Sequence, residues 1–301
     1  MWFGTASDRP YRPLLEENID LGRHGQANSR PHVRSMELAL EEGRHFVYHG
    51  LKKLQRRRRR LMSIVEWKKD DKVAVVTMNN GANRHNLAFA QAMLAVFDEI
   101  LADKEISAVV LTSSDEKNFS QGVDIEWLTQ RFQAGDTASI KAFMYGMNDV
   151  FKRLLLIPMP VIAAINGHAF GNGAIISCAC DFRFMKSDKG FFCFPEVDLG
   201  IPFLPGMIAF VKKAMPYYLY NELKLTGRRA GAIELAEKHF LEKASPDQAT
   251  LMQDALAFAR GFNKKRGIFG EHKRRLHKDI ITIMDNEDPV YIEPLNLMVA
   301  D

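Results

Sequence analysis

The sequence predicts an α/β fold, with a core of alternating strands and helices followed by a helical C-terminal region. Three observations carry this. Val73–Met78 and Val161–Ile165 are compact apolar, β-branched runs of strand length, bounded by turn residues or proline. Leu87–Leu101 and Ile140–Leu156 repeat apolar residues at helical spacing. After about Asn221 the pattern turns helical and polar, with Ala230–His239, Pro246–Asn263 and Glu271–Met284 as helix candidates.

Taken in order, residues 1–61 read as a basic extension. They hold 13 Lys+Arg against 7 Asp+Glu, a net +6, whereas the whole 301-residue chain carries +4. The remainder is therefore slightly acidic and has no strong field of either sign. Pro10, Pro13, Pro31 and scattered charges leave this extension little apolar surface to bury, which predicts disorder. A weak helical pattern runs from Met36 to Leu61 and ends in Arg56–Arg60, a run that suits phosphates or an anionic surface. Met62 is a candidate start for the working protein. A mitochondrial leader fits less well, because Glu16, Glu17, Asp20, Glu37, Glu41 and Glu42 are unfavourable in such segments.

Within the core, Val73–Met78 is followed by the turn Asn79–Gly81 and the helix Leu87–Leu101. Ala108–Leu111 is a strand, Thr112–Lys117 a polar turn, and Pro158 and Pro160 end the helix Ile140–Leu156. Phe182–Met185 and the stretch around Phe191–Phe194 give further strands. Cys178, Cys180 and Cys193 have no CxxC spacing and read as small buried residues. A sparse odd set of this kind suits a reducing, cytoplasmic setting. No apolar run approaches the roughly 18–20 residues of a membrane span.

Three segments carry candidate chemistry. Asn118–Asp124 (NFSQGVD) reads by itself as a plain turn with a glycine that permits close approach of a ligand. Ile165–Ala174 (INGHAFGNGA) places glycines before the apolar run Ala174–Ala179, read as a helix whose free N–H groups suit an oxyanion or phosphate. It is neither a Walker A loop nor GxGxxG. Phe194–Pro202 (FPEVDLGIP) sets Glu196 in apolar context, where it suits either proton transfer or a surface capping role.

In order and spacing, Asn-Gly-x-Ala-x-Gly-x-Gly followed some twenty residues later by Phe-x-x-Pro-Glu and Leu-Gly-Ile-x-x-x-x-Gly resembles the crotonase, or enoyl-CoA hydratase/isomerase, family over roughly Val65–Thr226. The resemblance implies a spiral of ββα units over residues 62–225, with helices over 226–301 serving oligomerisation and the substrate side. A homotrimer or a pair of trimers is expected. It implies a site for acyl-CoA thioesters in which the backbone N–H groups of Gln121 and Asn172 hold the thioester oxygen and Glu196 is the base. Arg84, His85, Gly122, Asp124, Gly171 and Ile175 are expected to line the substrate path. Lys264, Lys265, Lys273 or Arg274 are candidates to meet the CoA phosphates. No cofactor or metal is implied, coenzyme A being part of the substrate.

Hydratases of this family use two acids. The position of one is Ile175 here, which points to isomerisation of a 3-enoyl-CoA to the 2-enoyl form with Glu196 alone. Leu204 stands where a dienoyl isomerase would carry Asp. The family helix here reads Ala236–Phe240 in place of Gly-Leu-Val. His168 suits a base or a packed ring, and a lone histidine favours packing. Hydration, another thioester-enolate reaction, or a non-catalytic binding protein acting on RNA through Arg56–Arg60 are the alternatives. No membrane association is expected, and nucleic acid is disfavoured.

Overall fold

The computed structural model describes residues 64–299. The Met36–Leu61 pattern, the Arg56–Arg60 run and Met62 lie outside the described residues.

A six-stranded sheet forms the centre, in the order β1 (Val65–Asp70), β2 (Val73–Met78), β4 (Ala108–Ser113), β7 (Val161–Ile165), β9 (Phe182–Lys186) and β11 (Lys243–Ser245). Only β1 runs antiparallel to its neighbour, across the tight turn at Asp71, whose φ is +54°. The other pairings are parallel. The strands between, β5 (Asn118–Ser120), β8 (His168–Phe170) and β10 (Phe192–Cys193), make a second sheet, and β3 (Arg84–His85) pairs with β6 (Gly122–Val123). Successive units thus send one strand to the large sheet and the next to a small one, the expected ββα spiral.

Parallel strands covered on both faces need apolar side chains on both. In β4 and β7, Ala108, Val110, Ile162 and Ala164 face one layer, with Leu251, Ala255 and Ala259 of a C-terminal helix, Gln248–Arg260. Val109, Leu111, Val161, Ala163 and Ile165 face the main core, against α1 (Leu87–Ala102) and α3 (Thr137–Leu156). That helix and the edge strand β11 tie the C-terminal region into the core layers. Asn86 and Asp136 cap α1 and α3 by accepting from the N–H groups of Phe89 and Ser139.

Several sequence readings change. Asn118–Ser120 is a strand rather than a plain turn. Ala108–Leu111 extends two residues, because Thr112 Oγ1 donates to the Ala164 carbonyl and stays within the sheet. Glu271–Met284 is two helices, α9 (Arg266–Leu276) and α10 (Lys278–Asn286), broken at the buried His277. The short helix α2 (Ile125–Gln133) was not foreseen.

Candidate active site

Three chain segments meet at one place. The first is β6 with its preceding loop, the second is the start of α4 (Asn172–Ala179), and the third is the one-turn 3₁₀ segment Pro195–Val197. Gly122 and Gly171 allow the approach. Both have positive φ, +78° and +51°. A β-carbon on Gly122 would lie 3.0 Å from the Asn172 nitrogen, and one on Gly171 would lie 3.0 Å from Glu196 Oε1. Only glycine tolerates both the conformation and the contact.

Glu196 is 7% exposed and its Oε2 has no hydrogen-bond partner in the protein. Burial pushes its pKa up to about 7, against smaller opposing effects from a backbone hydrogen bond and the Lys224 ammonium. A carboxyl poised there can take and return a proton at neutral pH. Lys224 is itself half-buried, packed over the Phe203 ring at 3.7 Å. Burial lowers its pKa and the Glu196 charge raises it.

Asn172 opens α4, so its N–H is one of the helix's first four donors, which lack intrahelical acceptors. The helix positive end adds to it. At the other end, Arg183 donates to the Ser177 and Cys180 carbonyls and Lys213 donates to the Cys180 carbonyl at 3.2 Å. The buried Arg183 and part-buried Lys213 satisfy C-terminal carbonyls and align with the helix dipole.

The expected first donor needs correction. Gln121 N–H donates to the Ala82 carbonyl at 3.0 Å, and its Nε2 donates to Asn118 Oδ1. Gly122 N–H donates to Ser120 Oγ at 3.1 Å and Asp124 N–H to the His85 carbonyl at 2.9 Å. Strand alternation then turns Val123 N–H to the opposite edge from Asp124 N–H. Gly122 supplies the positive φ that re-aims the chain, a shift by two residues that sequence reasoning missed.

The remaining candidates divide. Arg84 is exposed on β3. His85 is fully buried and so lines no open path. Asp124 caps α2, accepting from Trp127 N–H at 3.1 Å and from Asn86 Nδ2 at 3.0 Å, which commits both oxygens. Ile175 is 2% exposed within the core, a hydrocarbon in the second turn of α4. His168 packs against Phe191 at 4.5 Å and Phe170 at 5.6 Å, as the packing reading expects.

Of the basic residues considered for CoA, Lys273 is 4% exposed and bonds Asp181 Oδ2 at 2.8 Å and the Leu154 carbonyl at 2.9 Å, so it is structural. Arg274 pairs with Glu271. Lys264 and Lys265 are exposed. All three cysteines are buried free thiols. Among the described residues no group of three or more His, Cys, Asp and Glu is placed to hold a metal, and no helix is long and apolar enough to cross a membrane.

Comparison with known proteins bears on the fold and the family. The chain aligns at 42% identity over 135 residues with a short-chain-enoyl-CoA hydratase of Clostridium acetobutylicum, covering 44% of this chain and 50% of that protein. It aligns at 32% identity over 164 residues with a carnitinyl-CoA dehydratase of Escherichia coli, covering 54% and 60%. The chain thus spans only half to three-fifths of the length of these relatives. A Mycobacterium tuberculosis protein, named enoyl-CoA isomerase in one solved structure and probable enoyl-CoA hydratase in another, shares the fold, with TM-scores of 0.68 and 0.69 at 22% and 23% identity over 77% of this chain and 98% and 99% of those chains. An enoyl-CoA hydratase of Bacillus halodurans does so with a TM-score of 0.69 at 17% identity over 77% and 94%. A resolvase N-terminal domain pattern also matches residues 5–110, less than half of the chain. Its described part is built as the first strands and helix of the α/β spiral. The pattern of enoyl-CoA hydratase/isomerase proteins matches residues 68–287, and the chain belongs to that family.

Proposed function

We propose that the protein shifts the double bond of a 3-enoyl-CoA to the 2-position. Glu196 carboxylate takes a proton from C2, and the electron pair moves through the carbonyl to give a dienolate. Its oxygen is held by the N–H groups of Val123 and Asn172. The Glu196 carboxyl then returns the proton to C4, the double bond settles between C2 and C3, and the carboxylate is restored. One such backbone donor contributes about 3–4 kcal/mol at acyl-transfer sites.

The observation that carries this reading is the buried Glu196 carboxyl, whose Oε2 has no hydrogen-bond partner in the protein, with Ile175 standing at the position of the family's second acid. One group suffices to move a proton between two carbons on the same face of a dienolate. Adding water calls for a second polar group to hold and activate it, and Ile175 offers only hydrocarbon. Arg84, exposed on β3, is our candidate for the CoA phosphates. Exposed apolar residues on the C-terminal helices, among them Ile268, Leu276, Val290 and Tyr291, support association through that region, as trimers in our reading.

Hydration is the second reading. It is favoured by the names of the aligned relatives, a hydratase and a dehydratase. A paired assay separates the two. A 3-enoyl-CoA and a trans-2-enoyl-CoA of equal chain length are followed by absorbance of the conjugated thioester. A rise in the first with no change in the second supports isomerisation. A fall in the second establishes hydration and overturns the isomerase reading.

A further inference from the structure

One buried polar cluster lies between the two donor segments and takes no part in the proton transfer. Asn172 Nδ2 donates to His85 Nδ1 at 3.0 Å, which leaves His85 Nε2–H to donate to Ser120 Oγ at 2.9 Å. The Ser120 hydroxyl donates to the Asn83 carbonyl at 2.7 Å and accepts from Gly122 N–H at 3.1 Å. Asn83 Nδ2 continues the chain to Ser113 Oγ at 2.7 Å and the Phe119 carbonyl at 3.1 Å. Each donor meets an acceptor in a single consistent set, and that set assigns the His85 tautomer.

His85 is the hinge pin of the cluster. Its ring stacks on Phe89 with centroids 4.1 Å apart and planes 15° apart, which fixes the ring plane. Its Nδ1 holds the side chain of the residue that opens α4, and its Nε2 holds the residue two before β6. Its own carbonyl accepts Asp124 N–H, one residue beyond Val123. Burial keeps the ring neutral, with a pKa of about 3, so its acceptor at Nδ1 persists through the working pH range. An asparagine side chain at position 172 is what makes the link to α4 possible, because a glycine there would have nothing to donate.

We propose that His85 is a positioning residue whose imidazole, through Asn172 and Ser120, sets the separation of the two backbone donors at Val123 and Asn172. The inference rests on the reading of this site as a thioester-enolate site. A misplacement of one donor by about 1 Å can lower a rate about 100-fold, which is the scale on which such a clamp acts.

The test uses the full chain and trans-2-enoyl-CoA carrying a ¹³C label at the thioester carbonyl. Isotope-edited Raman difference spectroscopy reads the carbonyl stretch of the bound ester, independently of turnover. The parent is expected to shift the stretch to lower frequency. His85→Phe, which keeps the stacking but loses both ring hydrogen bonds, should halve that shift or more. It should also lower kcat on a 3-enoyl-CoA about 10- to 100-fold while KM changes less than about threefold. Asn172→Gly keeps the backbone N–H, cuts the clamp and should act alike. The double variant should be no worse than the more impaired single variant, because both act through one link. His85→Gln, able to donate and accept, should recover part of the shift and of kcat. If His85→Phe does not fold, Asn172→Gly and His85→Gln read the same link. A His85→Phe protein with the parent's carbonyl shift and kcat, or single effects that multiply in the double variant, would overturn the proposal. A parent that binds the ester without shifting its carbonyl, or binds none, would instead overturn the site reading on which the proposal stands.

Discussion

Gly171 and Glu196 are in contact: a β-carbon added to Gly171 would stand 3.0 Å from Glu196 Oε1. Gly171 also has φ +51° and ψ −124°, a conformation that L side chains rarely adopt. The residue that caps α4 is therefore the residue that leaves room for the carboxyl. Gly171→Ala should lower stability by about 1–3 kcal/mol through backbone strain alone. It should also lower kcat, because the carboxyl must move. Thermal unfolding and steady-state kinetics on a 3-enoyl-CoA measure the two effects, and an alanine variant with the parent's kcat would show that the carboxyl is free to sit elsewhere.

Glu196→Gln should remove turnover and raise stability at alkaline pH. The carboxyl titrates near 4.5 when exposed and about 7 in the fold, because burial disfavours its charge. Between those values the folded chain holds the extra proton, so stability falls as pH rises through 7. Over 2.5 units the full loss is about 3 kcal/mol. Glutamine cannot ionise and escapes it. Denaturant unfolding at pH 8 should favour the variant, with the difference vanishing near pH 4.5. Equal stabilities at pH 8 would mean that the Glu196 charge is better solvated than its burial implies.

His85 has the opposite linkage. Its ring titrates near 6.5 when exposed and about 3 in the fold, lowered by burial. Below pH 6.5 the unfolded chain takes up a proton that the folded chain refuses, so stability falls as pH falls. By pH 4 the loss attributable to this ring approaches about 3 kcal/mol. His277, also held low by burial, adds to the acid sensitivity in both proteins. His85→Gln loses stability at pH 7 relative to the parent, and this deficit should shrink steadily between pH 7 and pH 4. A deficit independent of pH would mean that the ring protonates in place.

The parts of the fold that the sequence makes legible are those whose environment is uniform. Val161–Ile165 is buried on both faces, so an unbroken apolar run bounded by proline and Asn-Gly marks its limits to the residue. Val65–Asp70 escapes notice because it is an edge strand reading VEWKKD, with charges on its outer positions. Asn118–Ser120 and His168–Phe170 are three residues each, too short for an alternating pattern to emerge, and their polar residues imitate a turn.

At the site, Glu196 and Asn172 stand out through the order and spacing of motifs that resemble the family, since apolar context alone suits a surface Glu196 as well. In our reading the first donor does not stand out in this way. Whether Gln121 or Val123 faces the site depends on the φ of Gly122, and a shift in where the strand resumes turns each N–H to the other edge. His85 was misplaced for a related reason. Its neighbours Asn83, Arg84 and Asn86 suggest an exposed polar turn, yet Asn83 and His85 point inward to Ser113, Ser120 and Asn172 while Arg84 stays outside. Those partners lie 30 to 87 residues away, beyond the reach of local pattern.

Lys273 and Arg84 give opposite expectations for two basic residues that sequence reasoning treated alike. Lys273 Nζ is buried against Asp181 Oδ2, which also accepts Val161 N–H at 2.8 Å at the start of β7. Lys273→Met leaves the part-buried Asp181 without its ion-pair partner, a change that lowers stability by about 3 kcal/mol, the low end for a buried pair because Lys213 still stands near Asp181. It touches no route for the CoA phosphates, so KM should stay within about twofold wherever the variant remains folded. Arg84 is exposed on β3, and its removal leaves no buried charge behind. Arg84→Ala should leave the unfolding transition within about 0.5 kcal/mol of the parent. Its KM for a CoA ester should rise, while a substrate truncated to the pantetheine thioester should be handled as by the parent. Measuring both variants on both substrates separates a phosphate contact from a structural one. A KM rise with Lys273→Met and none with Arg84→Ala would reverse the assignment and place the phosphates at the α9 side of the molecule.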